Sequence, residues 1–250
     1  MIGTIDTKQK QLENGFYEFG TGSVKVLILG TCRSIAYLNY LHRWNEGRNE
    51  FTVRFIDAFN WNWDRNENRV DCEAAINAQE TNEVMLSMLK ETNIFIHEHY
   101  QNYGMFNTRP KTEKHIYQFG MNPDIDICVP NWHDKFILEN DFRAFGELPD
   151  DYIARGEKAV HDFTNKCILT SFPEFGDMFK HTWRDTRYFW TPNHISAHFS
   201  IVIFTLMNEK FLRMPLTEEF WNGARSEDLF KEPHTQVTQR DIEGYHITWP

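Results

Sequence analysis

Between residues 24 and 29 the chain reads Val-Lys-Val-Leu-Ile-Leu, a mostly apolar run of β-type residues that stops at Gly30, and an amphipathic pattern follows from Ser34 to Trp44. Strand, turn and helix are predicted in that order. Phe51 to Asp57 predicts a second strand, Asp71 to Lys90 a helix, Thr92 to His97 a third strand and Ile125 to Pro130 a fourth. This alternation predicts an α/β fold with a mostly parallel sheet covered on both faces. Residues 1 to 22, polar and broken by Gly15, Gly20 and Gly22, read as an N-terminal arm or hairpin, and 23 to 250 as a single α/β domain. The second half reads as helical. Asp150 to Phe163 has helical spacing, Ser171 and Glu174 suggest a capping box for a helix ending near Trp183, and a long buried helix is expected from Asn193 to Phe211.

Ligands of parallel sheets gather at the carboxyl ends of the strands. Here those ends carry Thr31-Cys32-Arg33-Ser34, then Asp57, then His97-Glu98-His99, then Asn131-Trp132-His133. Cys32 is the sharpest candidate, because a strand-to-helix turn exposes a thiol to positive charge and to the helix N-terminus, both of which favour the thiolate. A small residue filling the turn is the competing reading. In the catalytic reading the backbone N–H groups from Thr31 to Arg33 hold an oxyanion, with Gly30 and Ser34 framing them, or Arg33 grips a phosphate of the donor. A nucleophile needs a base, and His194, expected at a helix N-terminus beside Asn193, is the first choice. His198, one turn further on, is expected on the same face.

His97 and His99 fall on one side of a strand and Glu98 on the other. No second ligand group accompanies them, so they are read as lining a polar substrate pocket with Gln101 and Asn102, without a metal. Gly30 to Ser34 lacks the further glycines and the lysine of nucleotide-phosphate loops. The Asn-Trp-Asn-Trp-Asp run at 60 to 64 reads as a surface loop ahead of a base-stacking element.

The formal charge of −10 and the isoelectric point near 5.5 argue against a nucleic-acid binder, since that affinity comes mainly from lysine and arginine. Cys32, Cys72, Cys128 and Cys167 form no CxxC pair, which points to thiols in a reducing cytosol and a cytoplasmic protein. The longest apolar run, Ile201 to Met207, is too short to span a bilayer.

Gly30-Thr-Cys-Arg-Ser34, the strand closing in Val129-Pro-Asn131, and Pro192-Asn-His-Ile-Ser196 ahead of a helix together resemble the WcbI-like polysaccharide biosynthesis family, an offshoot of the SGNH hydrolase-like architecture. The resemblance spans about residues 24 to 213. It implies a three-layer flavodoxin-like fold with a helical C-terminal half, and an acyltransferase that moves an acyl group from a coenzyme A thioester to a sugar hydroxyl or amine. Cys32 would stand in the nucleophile position and His194 in the base position. The expected partners are a small acyl donor and a glycan acceptor. Thr31 replaces the family's Asn, Arg33 its Gln and Ile195 its Pro. Thr191 stands three residues before His194, where SGNH hydrolases carry Asp, leaving Asp185 or Asp57 as substitutes. The alternatives are an SGNH-like esterase or thioesterase and a non-catalytic nucleotide- or glycan-binding module.

Overall fold

The computed structural model describes residues 10–12, 16–57, 63–64, 69–70, 87, 90–99, 122–131, 136–146, 148–192, 194–226 and 235–249. The chain divides into two compact units, Met1–Val129 and Pro130–Pro250.

In the first unit, β1 (Lys10–Leu12) and β2 (Phe16–Phe19) form a hairpin, followed by β3 (Val24–Gly30), α1 (Ile35–Asn45) and β4 (Phe51–Asp57). The short strands β5 (Trp63–Asp64) and β6 (Arg69–Val70) pair with each other, and β7 (Ile94–Glu98) and β8 (Ile125–Val129) complete the unit. The six-stranded sheet runs β1-β2-β4-β3-β7-β8. Its four strands β4-β3-β7-β8 are parallel, and β2 joins β4 antiparallel, so the N-terminal hairpin extends the sheet at that edge. Continuous apolar runs make the parallel strands. Val26, Leu27, Ile28, Phe95, Ile96 and Ile127 are almost wholly buried, as strands covered on both faces require.

Helix α1 carries the crossover from β3 to β4 and is buried on more than one face, through Ile35, Tyr37, Leu38, Tyr40, Leu41 and Trp44. The Asn45 side chain clamps the return to β4 by accepting from Phe51 N and donating to Phe51 O, both at 2.9 Å. Gly20, at φ 74°, lies so close to this clamp that a Cβ would sit 2.2 Å from Phe51 O, which reserves the position for glycine. The helix expected over 71–90 lies outside the described residues apart from 87 and 90.

Because β4 lies on one side of β3 and β7 on the other, the chain reverses its direction of winding between β3 and β7. In doubly wound sheets that reversal opens a crevice at the carboxyl ends of the two strands. Gly30 closes β3 and Glu98 closes β7.

The second unit holds α2 (Glu139–Phe145), α3 (Tyr152–Cys167), α4 (Pro173–Thr182), a hairpin of β9 (Phe189–Thr191) with β10 (His194–Ile195), α5 (Ala197–Met207), α6 (Glu218–Ser226) and α7 (Gln239–Tyr245). Its core is aromatic. Phe163 meets Phe179 edge-on at 5.0 Å between ring centroids, and Phe175 meets Phe199 at 4.9 Å, the tilted arrangement that ring quadrupoles favour. Gly176 lets α3 and α4 approach, since a Cβ there would meet Thr164 O at 2.8 Å.

Two expectations for this unit need correction. Helix α5 begins at Ala197, not Asn193, because Ser196 is extended and its hydroxyl caps Phe199 N, while His194 and Ile195 are spent in the hairpin. Helix α4 begins at Pro173 without a Ser171–Glu174 box. There Glu174 instead pairs with Lys210 at 2.7 Å, and the Ser171 carbonyl accepts from the same ammonium at 2.9 Å. Among the described residues no helix is long and apolar enough to cross a membrane.

Candidate functional site

Cys32 opens a single 3-10 turn (Cys32–Ser34) that leads directly into α1. It is half-buried, whereas Cys128 and Cys167 are sealed in the interior, and burial pushes the Cys167 thiol far up. Among the described cysteines, Cys32 alone is not buried.

The backbone around Cys32 is held by a carboxylate from β7. Glu98, 2% exposed, accepts from Thr31 N at 2.8 Å, from Thr31 Oγ1 at 3.1 Å and from Ser34 Oγ at 2.5 Å. The residues on both sides of the cysteine are therefore tied to one buried group. Gly30 makes room for it, as a Cβ there would fall 2.2 Å from Ser34 Oγ and 2.7 Å from Glu98 Oε1. The negative field of Glu98 and burial together hold the Tyr37 hydroxyl well above its ordinary range, burial being the larger cause.

This network corrects two expectations about the turn. Arg33 is 4% exposed, donates to Thr31 Oγ1 at 3.0 Å and lies 4.0 Å from Glu98, so it is an interior cation and not a surface grip for phosphate. Nor are the Thr31 and Arg33 amides presented to an oxyanion. Thr31 N is held by Glu98, and Arg33 N donates to Thr31 Oγ1 at 3.5 Å. Glu98 itself was not among the expected site residues.

The strand alternation places His97 on the sheet face opposite Glu98. His97 stacks on Phe95 at 4.9 Å between ring centroids, and its Nε2 lies 3.1 Å from Asp126 Oδ1 on β8. It is a cross-strand pair of a buried imidazole with a half-buried carboxylate, and the His97 Nδ1 finds no hydrogen-bond partner among the described residues. His99 is buried just past β7, its N–H donating to Val129 O at 2.9 Å. Asn131, two residues beyond β8, has a side-chain amide sealed from solvent without a hydrogen bond among the described residues. Gln101, Asn102 and Asn193 lie outside the described residues.

His194 sits on β10, where its Nδ1 lies 3.1 Å from Thr191 Oγ1 on the facing strand. The hairpin, not a helix N-terminus, thus presents it. A hydroxyl occupies the place where an orienting carboxylate was expected in the related architecture. His198 is on a different element, in the first turn of α5, exposed, with its ring edge-on to Tyr188 at 5.1 Å. The shared face expected for the two histidines does not form, because the helix starts after His194. Among the described residues no group of three or more His, Cys, Asp or Glu is arranged to hold a metal.

The fold and the turn define an α/β protein of doubly wound, flavodoxin-like order with a cysteine at its winding reversal. No family model matches the sequence, and no curated protein does. Among solved structures the fold is similar to that of WcbI, described as a novel polysaccharide biosynthesis enzyme, in its native form without a disulfide bond between coenzyme A and a cysteine. That likeness has a TM-score of 0.54 at 11% sequence identity and covers 91% of this chain and 81% of the other.

Proposed function

We propose that this protein is an acyltransferase of polysaccharide biosynthesis that draws its acyl group from a coenzyme A thioester through Cys32. The observation that carries the reading is the position of Cys32, half-exposed at the winding reversal on a turn pinned by Glu98. The fold shared with WcbI, a protein described together with coenzyme A and a cysteine, supports it. A half-buried cysteine on the turn that leads into α1 fits the thioester end of such a donor, because the positive end of the helix favours the thiolate. No residue is assigned to the donor's phosphates, since Arg33 is turned inward.

In this reading the Cys32 thiolate attacks the thioester carbon, the carbon–sulfur bond of the donor breaks, and coenzyme A leaves as a thiolate that takes up a proton. The acceptor hydroxyl or amine then attacks the new thioester, loses its proton to a base and frees Cys32. His194 keeps the role of base, on the sequence reading and on its contact with the Thr191 hydroxyl, which holds the ring in place whichever nitrogen carries the proton.

Incubation with acetyl-CoA, followed by intact-mass and peptide mass spectrometry, tests this. An acetyl group on Cys32, lost in Cys32→Ala together with transfer to sugar acceptors, is the expected result. Undiminished transfer by Cys32→Ala overturns it. A second reading, a non-catalytic module that binds the donor, is favoured by one observation: Thr191 offers His194 a hydroxyl in place of a carboxylate, a weaker support for a base. Saturable binding of acetyl-CoA with neither adduct nor transfer selects that reading.

A further inference from the structure

The first unit holds an open pocket of about 300 Å³ at the end of α1 remote from Cys32. That volume stands at the lower end of small-molecule sites, roughly 300–1,000 Å³, and has room for a planar head group with a short alkyl stem. Phe19 and Gly20, where the chain leaves β2, form one wall, and the last turn of α1 with the residues after it forms the other. These walls are fixed. Asn49, at φ 53°, accepts from Thr21 N at 2.8 Å and donates to Thr21 Oγ1 at 2.7 Å, while the Asn45 amide is spent on Phe51. Gly47 borders open space, since a Cβ there would meet nothing within 4 Å.

With both amides committed, recognition falls to the two ionisable side chains of the pocket, His42 and Glu46, four residues apart at the end of α1. Neither side chain makes a hydrogen bond or ion pair with a described residue, and the His42 ring meets Phe19 edge-on at 4.9 Å between centroids. The Glu46 carboxylate and the negative end of the helix give the pocket its sign, which favours a cation. The arginines of the same segment are turned elsewhere. Arg43 and Arg48 do not line the pocket, and the Arg48 guanidinium lies 3.9 Å from the Trp44 ring centre while donating to Trp44 O at 2.8 Å. An exposed ion pair is worth little by itself, so a strongly hydrated ammonium gains almost nothing here. A guanidinium gains more, because it is weakly hydrated, its fork gives a carboxylate two parallel N–H bonds, and its face stacks on a ring such as His42.

We propose that this pocket binds a guanidinium group, which donates two N–H bonds to the Glu46 carboxylate and lays its plane against the His42 ring. The group belongs either to a free guanidino compound or to an arginine side chain of a peptide, since both present the same head. Binding here is independent of acyl transfer, because Cys32 lies at the opposite end of α1.

Amide NMR titration at neutral pH and constant ionic strength tests the site with four probes: ethylguanidinium, ethylammonium, ethylurea and N-acetylarginine amide. Ethylguanidinium is expected to shift the Gly20, Gly47 and Asn49 amides saturably. Ethylammonium binds about fivefold more weakly or less, and ethylurea, similar in shape but uncharged, does not bind. N-acetylarginine amide tighter than ethylguanidinium identifies a peptide arginine as the source, and equal or weaker binding identifies a free guanidino compound. Glu46→Gln, at an exposed position, keeps the fold and weakens ethylguanidinium by about fivefold or more, and His42→Ala weakens it as a second variant. The proposal is overturned if ethylguanidinium gives no saturable shift, if ethylammonium or ethylurea binds as well, or if Glu46→Gln leaves the affinity unchanged.

Discussion

The Ser34 hydroxyl donates to Glu98 at 2.5 Å, joining the turn that carries Cys32 to the end of a strand 64 residues away in sequence. The same carboxylate oxygen takes the Thr31 N–H at 2.8 Å, so one buried atom fixes the chain on both sides of the cysteine. Replacing Glu98 by alanine strands a buried amide, two hydroxyls and a nearby guanidinium. The expected loss is about 3 kcal/mol of unfolding free energy, measured by urea denaturation. Glu98→Gln keeps one acceptor oxygen and loses less, but it removes the negative charge beside the turn. The rate at which iodoacetamide alkylates Cys32, followed against pH, therefore shifts in Glu98→Gln even where the fold is intact. An unshifted profile would show that Glu98 holds the fold without positioning the thiol.

Gly30 offers a second handle on the same turn. A methyl group there overlaps Ser34 Oγ at 2.2 Å and Glu98 Oε1 at 2.7 Å, and neither can retreat without breaking the bond between them. Gly30→Ala should cost about 1–3 kcal/mol and should accelerate proteolysis near residue 32. The control is Gly47→Ala, at a position with open space around it but φ of 73°, where the cost is backbone strain alone and the Cys32 turn is untouched.

The strands of the parallel sheet were legible because each is a short apolar run closed by polar residues, and burial on both faces leaves no other use for such runs. The candidate cysteine was legible for the same reason, since the end of β3 is marked by Gly30. Glu98 was hidden. A glutamate at a strand end looks the same in sequence whether it meets solvent or the Thr31 amide, and its partners lie more than 60 residues away. Arg33 misled in the opposite sense. Its charge suggested the surface, yet the buried carboxylate draws it inward. The start of α5 was misplaced because Pro192 and Asn193 carry helix-start signals that compete with Ser196, and the pairing of β9 with β10, a tertiary event, decides between them.

Thr191 and His194 permit a test of the proposed base. Thr191→Val removes the hydroxyl 3.1 Å from Nδ1, and transfer activity, measured as kcat/KM for acetyl-CoA, is expected to fall about tenfold through loss of the ring's orientation. Thr191→Asp supplies an anion instead. A neighbouring negative charge favours the imidazolium, so the ionisation of His194 moves up, and the rising limb of the pH–rate profile moves to higher pH with it. A profile identical in the wild type and in Thr191→Asp would remove His194 from the reaction.

Two carboxyls on α2 should respond to acid in opposite directions. The Arg143 guanidinium, bonded to Glu139 at 2.6 Å, is the main cause holding that carboxyl below its ordinary 4.5, and the Thr238 hydroxyl assists from α7's cap. Folding therefore favours ionised Glu139; its stabilisation is complete above the unfolded value and is lost as pH falls through the folded one. Asp141 behaves in reverse. Burial raises it above its ordinary 3.8, against the pull of Thr235 and the Leu138 and Ile137 N–H groups. The folded chain binds its proton more tightly, so that contribution is full below the unfolded value and disappears as pH rises through the folded one. Melting temperatures of wild type, Glu139→Gln and Asp141→Asn between about pH 6 and pH 3 separate the two. On acidification the margin of wild type over Glu139→Gln should shrink, while wild type gains on Asp141→Asn.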